Sequence, residues 1–418
     1  MSSPVWHPFT QHGLNEPIPL VTHAEGAALH TQDGRRIIDA ISSWWVTTHG
    51  HCHPRIMAAI RAQAEKLDQI IFAGWTHAPA EQLAERLVAL FDRRLPHVFY
   101  SDSGSTAVEV ALKMALGFWL NRGEPRHRIL AMDHGYHGDT IGTMSVGARG
   151  VFNRTYAPLL FDVGTVPFPA AGYEQATLDA LDLLCRSEPV AAFIVEPLVL
   201  GAGGMLVYPP AVLAEMRAIC AGHGVLFIAD EVMTGWGRTG TLLACEQAGI
   251  VPDILCLSKG LTGGSLPLAV TMATAPLFEA HRSTDRARMF FHSSSYTANP
   301  IACAAANANL AIWRDEPVLE RIADLGRRQQ ARLDRIAAHA LVRNPRRCGT
   351  IAAFEVGAGE GYLSGLAPRA MAFFRERGLL LRPLGDTFYA MPPYCISDAD
   401  LDAIYAALAD FLGEVEAA

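Results

Sequence analysis

The stretch PPAVLAEMRAICAGHGVLFIADEV, residues 209–232, decides the fold. Its first part, 209–224, reads as a helix, and VLFIAD (225–230) reads as a strand that closes on a carboxylate. The pattern repeats along the middle of the chain. HVFYS (97–101) is a strand followed by the helix STAVEVALKMALGFWL (105–120). RILAM (128–132), AAFIVEP (191–197) and ILCLS (254–258) are further apolar runs of strand length. Strands alternating with helices predict an α/β fold, a mostly parallel sheet with helices on both faces. Such sheets gather ligands at the carboxyl ends of their strands. Ser101–Ser105, Glu196, Asp230 and Lys259 all fall at such ends.

Asp230 ends one apolar run, and Lys259 ends the next in DILCLSKG, 29 positions on. An amine and a carboxylate so placed suit one chemistry well. They can grip opposite ends of a pyridoxal phosphate (PLP) ring, the lysine condensing with the aldehyde and the aspartate keeping the ring nitrogen protonated. The plain alternative is a surface lysine on a loop. Against it stand the glycines of GLTGG (260–264), which let another group approach the backbone closely. A lysine with this task needs a lowered pKa, which desolvation and cationic neighbours provide.

Several other residues have two readings. SDSGSTAVEVALK (101–113) turns at Ser103, Gly104 and Ser105 into a helix; it is either a phosphate cup built on free N–H groups or an ordinary N-cap. In DHGYHGDT (133–140), Tyr136 can stack on a flat heteroaromatic ring, with His137 and Asp139 beside it, or the segment is a polar turn. Glu196 either orients the ring or faces solvent. Arg382 in LLLRPLG either clamps a substrate carboxylate or makes a structural salt bridge. Trp44 and Trp45 either fill the core or wall a pocket for a long apolar substrate.

Composition narrows the class. The 418 residues are half apolar, 18% are charged, and the net charge is −8, with the signs mixed. No basic tract suggests nucleic acid, and no run is long and uncharged enough for a membrane span. MSSPVWHPFTQHG lacks the pattern of a signal peptide. The eight scattered cysteines form no CxxC pair and read as reduced thiols of a cytoplasmic protein; no metal site is expected. Residues 1 to about 50 look irregular, then extended. Helices are expected over 54–69 and 79–92, and a long one over 313–340. The predicted division is an N-terminal segment, 1–50, that contributes to the small domain, a large domain, 51–310, and a small α/β domain, 311–418.

These motifs resemble the class III aminotransferases, PLP enzymes of fold type I. The likeness runs through WHPFT (6–10), DGRRIIDAISSWWV (33–46), DSGSTAVEVALKMAL (102–116), GYHGDTIGTMSV (135–146), ADEVMTGWGRTG (229–240), PDILCLSKGLTGG (252–264) and MPPY (391–394). SSWW, WHP and MPPY point, within the family, to members that aminate 8-amino-7-oxononanoate in biotin biosynthesis, with S-adenosylmethionine as donor. The resemblance implies a large domain with a mostly parallel seven-stranded sheet, a small α/β domain, and a homodimer with shared sites. It implies Lys259, Asp230 and Tyr136 as catalytic residues. Ser103, Gly104, Ser105, His137, Glu196 and Val232 would join these around the cofactor, with Ser295 reaching the phosphate from the other subunit. Phe9, Trp44, Trp45, Tyr136, Arg382 and Tyr389 would bind substrate. Phe9 stands where the family often has tyrosine, and the loop HSSSYTANP (292–300) also departs from the common form. Both lie by the amino-donor region, which leaves lysine open as the donor. The other readings are an ω-amino acid or diamine aminotransferase, an aminomutase, or a PLP-binding protein without catalysis.

Overall fold

The structure, a computed structural model, describes residues 3–357 and 361–417. Near the N-terminus lie strands β1 (Val21–Glu25), β2 (Ala28–Thr31) and β3 (Arg36–Asp39). The middle of the chain holds β4 (His97–Ser101), β5 (Arg128–Met132), β6 (Gly164–Val166) and β7 (Val190–Val195). It continues with the short pair β8 (Val199–Leu200) and β9 (Leu206–Val207), then β10 (Leu226–Asp230), β11 (Ile254–Leu257) and β12 (Ala269–Ala273). Towards the C-terminus come β13 (Val342–Cys348), β14 (Ile351–Val356), β15 (Leu379–Leu380) and β16 (Thr387–Ala390).

Seven strands form one sheet in the order β4-β12-β11-β10-β7-β5-β6. All its pairings are parallel except those of β12, which runs antiparallel to both neighbours. Every residue of β7 and β10 is buried. This is why those segments are continuous apolar runs rather than alternating ones. Two strands have no counterpart among the runs picked out above. β6 has only three residues, and the apolar character of β12 is broken by Thr271, whose hydroxyl donates to the Ala107 carbonyl at 2.8 Å.

The helix expected over 313–340 is instead the end of one helix, Pro300–Asp315, and the whole of another, Val318–Ile336. Pro317 causes the break. A residue before proline avoids the helical region, and Glu316 is extended at φ −121° and ψ 152°. The helix at 54–69 likewise stops early, at Ala64. Within Pro300–Asp315, Ala302, Ala305 and Ala306 are buried, and their small side chains let this helix pack closely on Pro54–Ala64 and Ala78–Leu90.

Two smaller sheets complete the chain. β3 pairs in parallel with β15, so the N-terminal segment joins the C-terminal region in the order β1-β2-β3-β15. β13, β14 and β16 form an antiparallel sheet. The turn after β3 is pinned to the residues around β16. Ser42 Oγ donates to the Met391 carbonyl at 2.8 Å, and Trp45 Nε1 donates to the Tyr389 hydroxyl at 2.9 Å. Among the described residues no helix is long and apolar enough to cross a membrane.

Candidate active site

A cavity of about 710 Å³ opens beyond the carboxyl ends of β10 and β11. Lining it are Phe9, Trp44, Trp45, Gly104, Ser105, Tyr136, His137, Glu196, Asp230, Val232, Lys259, Arg382 and Tyr389. Of the residues proposed from sequence, only Ser103 and Ser295 lie off it.

Asp230 is the last residue of β10 and is 4% exposed. Its Oδ2 lies 2.7 Å from His137 Nδ1, and its Oδ1 accepts from the Val232 N–H at 3.1 Å. The carboxylate therefore has one fixed orientation. The chain then crosses to β11, after which Lys259 opens a 3₁₀ turn at φ 45°. Burial of the amine lowers its pKa to about 8, against the opposing pull of Asp230 and Glu196; Arg238 lowers it further. Its Nζ stands 4.6 Å from the centre of the Trp45 ring. Its neutral form, about a tenth of the population at pH 7 and half at pH 8, is a nucleophile and a base.

Glu196, one residue beyond β7, is buried. It accepts from the Tyr136 N–H and the Gly201 N–H, both at 2.9 Å. Burial dominates and raises its pKa to about 7. It is thus a buried carboxyl that fixes the backbone of the Tyr136 loop, and the solvent-facing reading is overturned. Burial also raises the Tyr136 pKa above its ordinary value, with Asp139 adding to the effect. Its hydroxyl stays protonated and able to donate.

Arg382 sits among rings. Its guanidinium is 5.8 Å from the ring centres of both Phe9 and Trp44. Among the described residues no carboxylate pairs with it; Nη2 donates a long bond, 3.4 Å, to the Phe9 carbonyl, and Nη1 lies 3.8 Å from Met371 Sδ. Trp44 is 47% exposed and faces the cavity, whereas Trp45 is buried and still lines it, so that pair is at once core and wall.

Ser103 caps the helix Gly104–Asn121. Its Oγ accepts from the Thr106 N–H at 3.2 Å, and Thr106 Oγ1 accepts from the Ser103 N–H at 2.9 Å. The hydroxyl proposed for a phosphate is the acceptor of this capping box, and Ser103 does not line the cavity. Gly104 and Ser105 remain at the cavity. Ser295 is exposed on a loop, its carbonyl accepting from Gln69 Nε2 at 2.6 Å. Phe152, Met233 and Tyr362 also line the cavity and were not foreseen, because each lies in a segment without periodicity.

The residues fit PLP. A buried carboxylate, an amine of lowered pKa and the start of an eighteen-residue helix meet in one cavity, which are the partners a pyridine nitrogen, an aldehyde and a phosphate require. The helix start is also bare by construction. A Cβ on Gly104 would come within 2.6 Å of Val232 Cγ1, and one on Gly138 within 2.1 Å of Ser105 Oγ.

Comparison with known proteins agrees with this geometry. Residues 10–412 match the family model "Aminotransferase class-III". The chain is 47% identical to the adenosylmethionine-8-amino-7-oxononanoate aminotransferase of Synechococcus elongatus, over 98% of this chain and 99% of that one. It is 40% identical to the protein of the same name from Nitratidesulfovibrio vulgaris, over 96% of this chain and 78% of that one. Among solved structures, the one of that name from Methanocaldococcus jannaschii superposes with a TM-score of 0.94 at 33% identity, covering 98% of this chain and 97% of the other. A PLP-bound amine transaminase from an uncultivated Pseudomonas species gives 0.92 at 31% identity and covers 99% of both chains.

Proposed function

The chain belongs to the class-III aminotransferases, and we propose that it uses PLP to aminate 8-amino-7-oxononanoate to 7,8-diaminononanoate, a step of biotin biosynthesis, with S-adenosylmethionine as the amino donor. The observation that carries the substrate reading is the pair of adjacent indoles. Trp45 faces Lys259 and Trp44 faces Arg382. One cavity thus holds a reactive amine and an arginine without a carboxylate partner among the described residues, with apolar wall between them. A chain of methylenes with a carbonyl near one end and a carboxylate at the other suits such a site.

Bound PLP supplies an aldehyde that takes up an amino group and a ring that absorbs the electrons released at the donor carbon. The protein supplies the rest. Lys259 would hold the aldehyde carbon, and its amine would serve as the base for the proton on the carbon that bears the donor's amine. Asp230, oriented by His137 and the Val232 N–H, would keep a proton on the ring nitrogen. Tyr136 and Val232, which line the cavity, would lie beside the ring, and the N–H groups at Gly104 and Ser105 would take the phosphate. Arg382 binds the carboxylate of the oxononanoate, between Phe9 and Trp44. Tyr389 holds Trp45 in place. The neighbouring reading is an amine or diamine transaminase with the same cofactor site.

Two copies of the chain share these sites in this reading, with Ser295 donating to the phosphate of its partner's. Its exposure and its absence from the lining of its own chain's cavity support that assignment. Eight unbridged cysteines support a cytoplasmic setting. The pairing of β3 with β15 supports counting residues 1–50 with the C-terminal domain, 311–418, apart from the large domain, 51–310.

A single-turnover absorbance experiment tests the reading. PLP-loaded protein is mixed with S-adenosylmethionine, and separately with lysine. The cofactor spectrum should change with S-adenosylmethionine and return on adding 8-amino-7-oxononanoate. A response to lysine alone moves the donor and makes Phe9 the specificity candidate. A spectrum that the oxononanoate does not restore, with conversion by simple amines, identifies an amine transaminase instead.

A further inference from the structure

Trp44 and Trp45 are consecutive, yet both line the cavity. Neighbouring side chains point to opposite faces of a strand and about 100° apart around a helix, so regular backbone does not bring two in a row to one wall. The chain achieves it with a left-handed turn. Ser42, Ser43 and Trp45 have φ of 55°, 57° and 66°, and Ser43 combines its φ with ψ −105°, a region suited to glycine. Such a conformation persists only where its surroundings over-determine it.

We propose that Asp39 is the positioning residue that holds this turn, and through it the two-indole wall that recognises the substrate. The inference rests on the functional reading above and deepens it. Asp39 closes β3 and is fully buried. Both of its carboxylate oxygens accept from the Ser43 N–H, at 2.7 and 2.9 Å. One also accepts from the Ile41 N–H at 3.2 Å, the other from Ser43 Oγ at 3.3 Å, and His51 Nε2 lies 2.8 Å away. The carboxylate thus sits inside the loop it shapes, bonded to the residue with the least favourable backbone. Asp39 does not itself line the cavity, but Ile41 and Ser43, which donate to it, do. Its effect passes through the angle of the indoles, one facing Lys259 and the other Arg382.

The test compares holoenzyme carrying Asp39→Asn, and the double substitution Asp39→Asn with Ser43→Gly, with the unsubstituted holoenzyme. Binding of 7-oxononanoate, a carboxylate ligand without the amine, is measured by calorimetry, alongside steady-state kinetics and thermal melting. In Asp39→Asn, the Kd and the KM for the oxononanoate should rise about tenfold while kcat falls less than about threefold, as expected when positioning is lost but the chemistry is kept. The double variant should return both to within about threefold, because glycine adopts the turn unaided. A folded Asp39→Asn enzyme with unchanged Kd and KM overturns the proposal. So does a double variant that binds no better than the single one, or that does not fold. If the unsubstituted enzyme does not bind 7-oxononanoate, the functional reading fails by itself, and acrylamide quenching of indole emission decides the role of Asp39. Quenching should increase in Asp39→Asn and reverse in the double variant; equal quenching in all three overturns the proposal.

Discussion

A lysine amine in water is a cation at neutral pH and a poor nucleophile. At Lys259, burial reverses that by bringing the pKa from 10.5 to about 8. The direction sets the pH dependence. Protonation is what burial opposes, so the neutral, reactive form grows as pH rises through about 8 and is lost below it. Capture of PLP by cofactor-free protein, followed by absorbance, should therefore rise from pH 7 and level off above about 9. A midpoint near the ordinary value would show that the amine is solvated. Lys259→Ala should bind PLP without condensing with it and should not turn over. At Arg382 the cation is placed between two rings with no carboxylate partner among the described residues. Arg382→Ala should raise the KM for the oxononanoate by roughly ten- to hundredfold, the worth of a charged hydrogen bond, with a smaller effect on conversion by the donor. Equal losses for both substrates would show that the guanidinium supports the cavity wall rather than binding the acceptor.

At the scale of elements, the start of the helix Gly104–Asn121 separates two jobs that the sequence SGS leaves mixed. Ser103 closes a capping box, while Gly104 and Ser105 face the cavity. Ser103→Ala should destabilise the protein by about 1 kcal/mol in a denaturant melt and leave PLP affinity nearly unchanged. Gly104→Ala should do the opposite, since its Cβ would meet Val232 Cγ1 at 2.6 Å. Its PLP affinity should fall, and adding Val232→Ala should recover only part of it, because Val232 also lines the cofactor cavity. The same contrast explains what could be read in advance. Apolar runs ending in Asp230 and Lys259 were legible because strands buried on both faces leave no other pattern, and their ends locate the site. The fate of the Ser103 hydroxyl was not, because capping and phosphate binding call for the same residue. Nor was the turn at 42–45, where the backbone is imposed by Asp39 and by contacts with β16, some 350 residues away in sequence. At Pro317 the helical periodicity runs straight through the proline, and the constraint that proline puts on Glu316 overrides it.

At the scale of the whole molecule, the role proposed for Ser295 turns on whether its exposed loop reaches the cavity of a second copy. Ser295 does not line the cavity of its own chain, and its loop is anchored to that chain by Gln69 and by the Ser294–Asp102 hydrogen bond at 2.8 Å. If it acts in a second copy, the damage from two different substitutions should separate between subunits. Lys259→Ala removes the amine from a chain's own site. Ser295→Glu places a negative charge against the phosphate of the partner's site, where like charges repel. Each variant alone should be nearly inactive. When the two are unfolded, mixed in equal amounts and refolded, half the dimers pair one of each. In such a hybrid one site carries both defects, and the other has its lysine from one chain and its serine from the other, both intact. Activity should then return to roughly a quarter of the unsubstituted level, the share of intact sites in a randomly mixed two-fold dimer. Without exchange between chains the mixture stays inactive, and Ser295 must then be assigned to a loop contact within its own subunit.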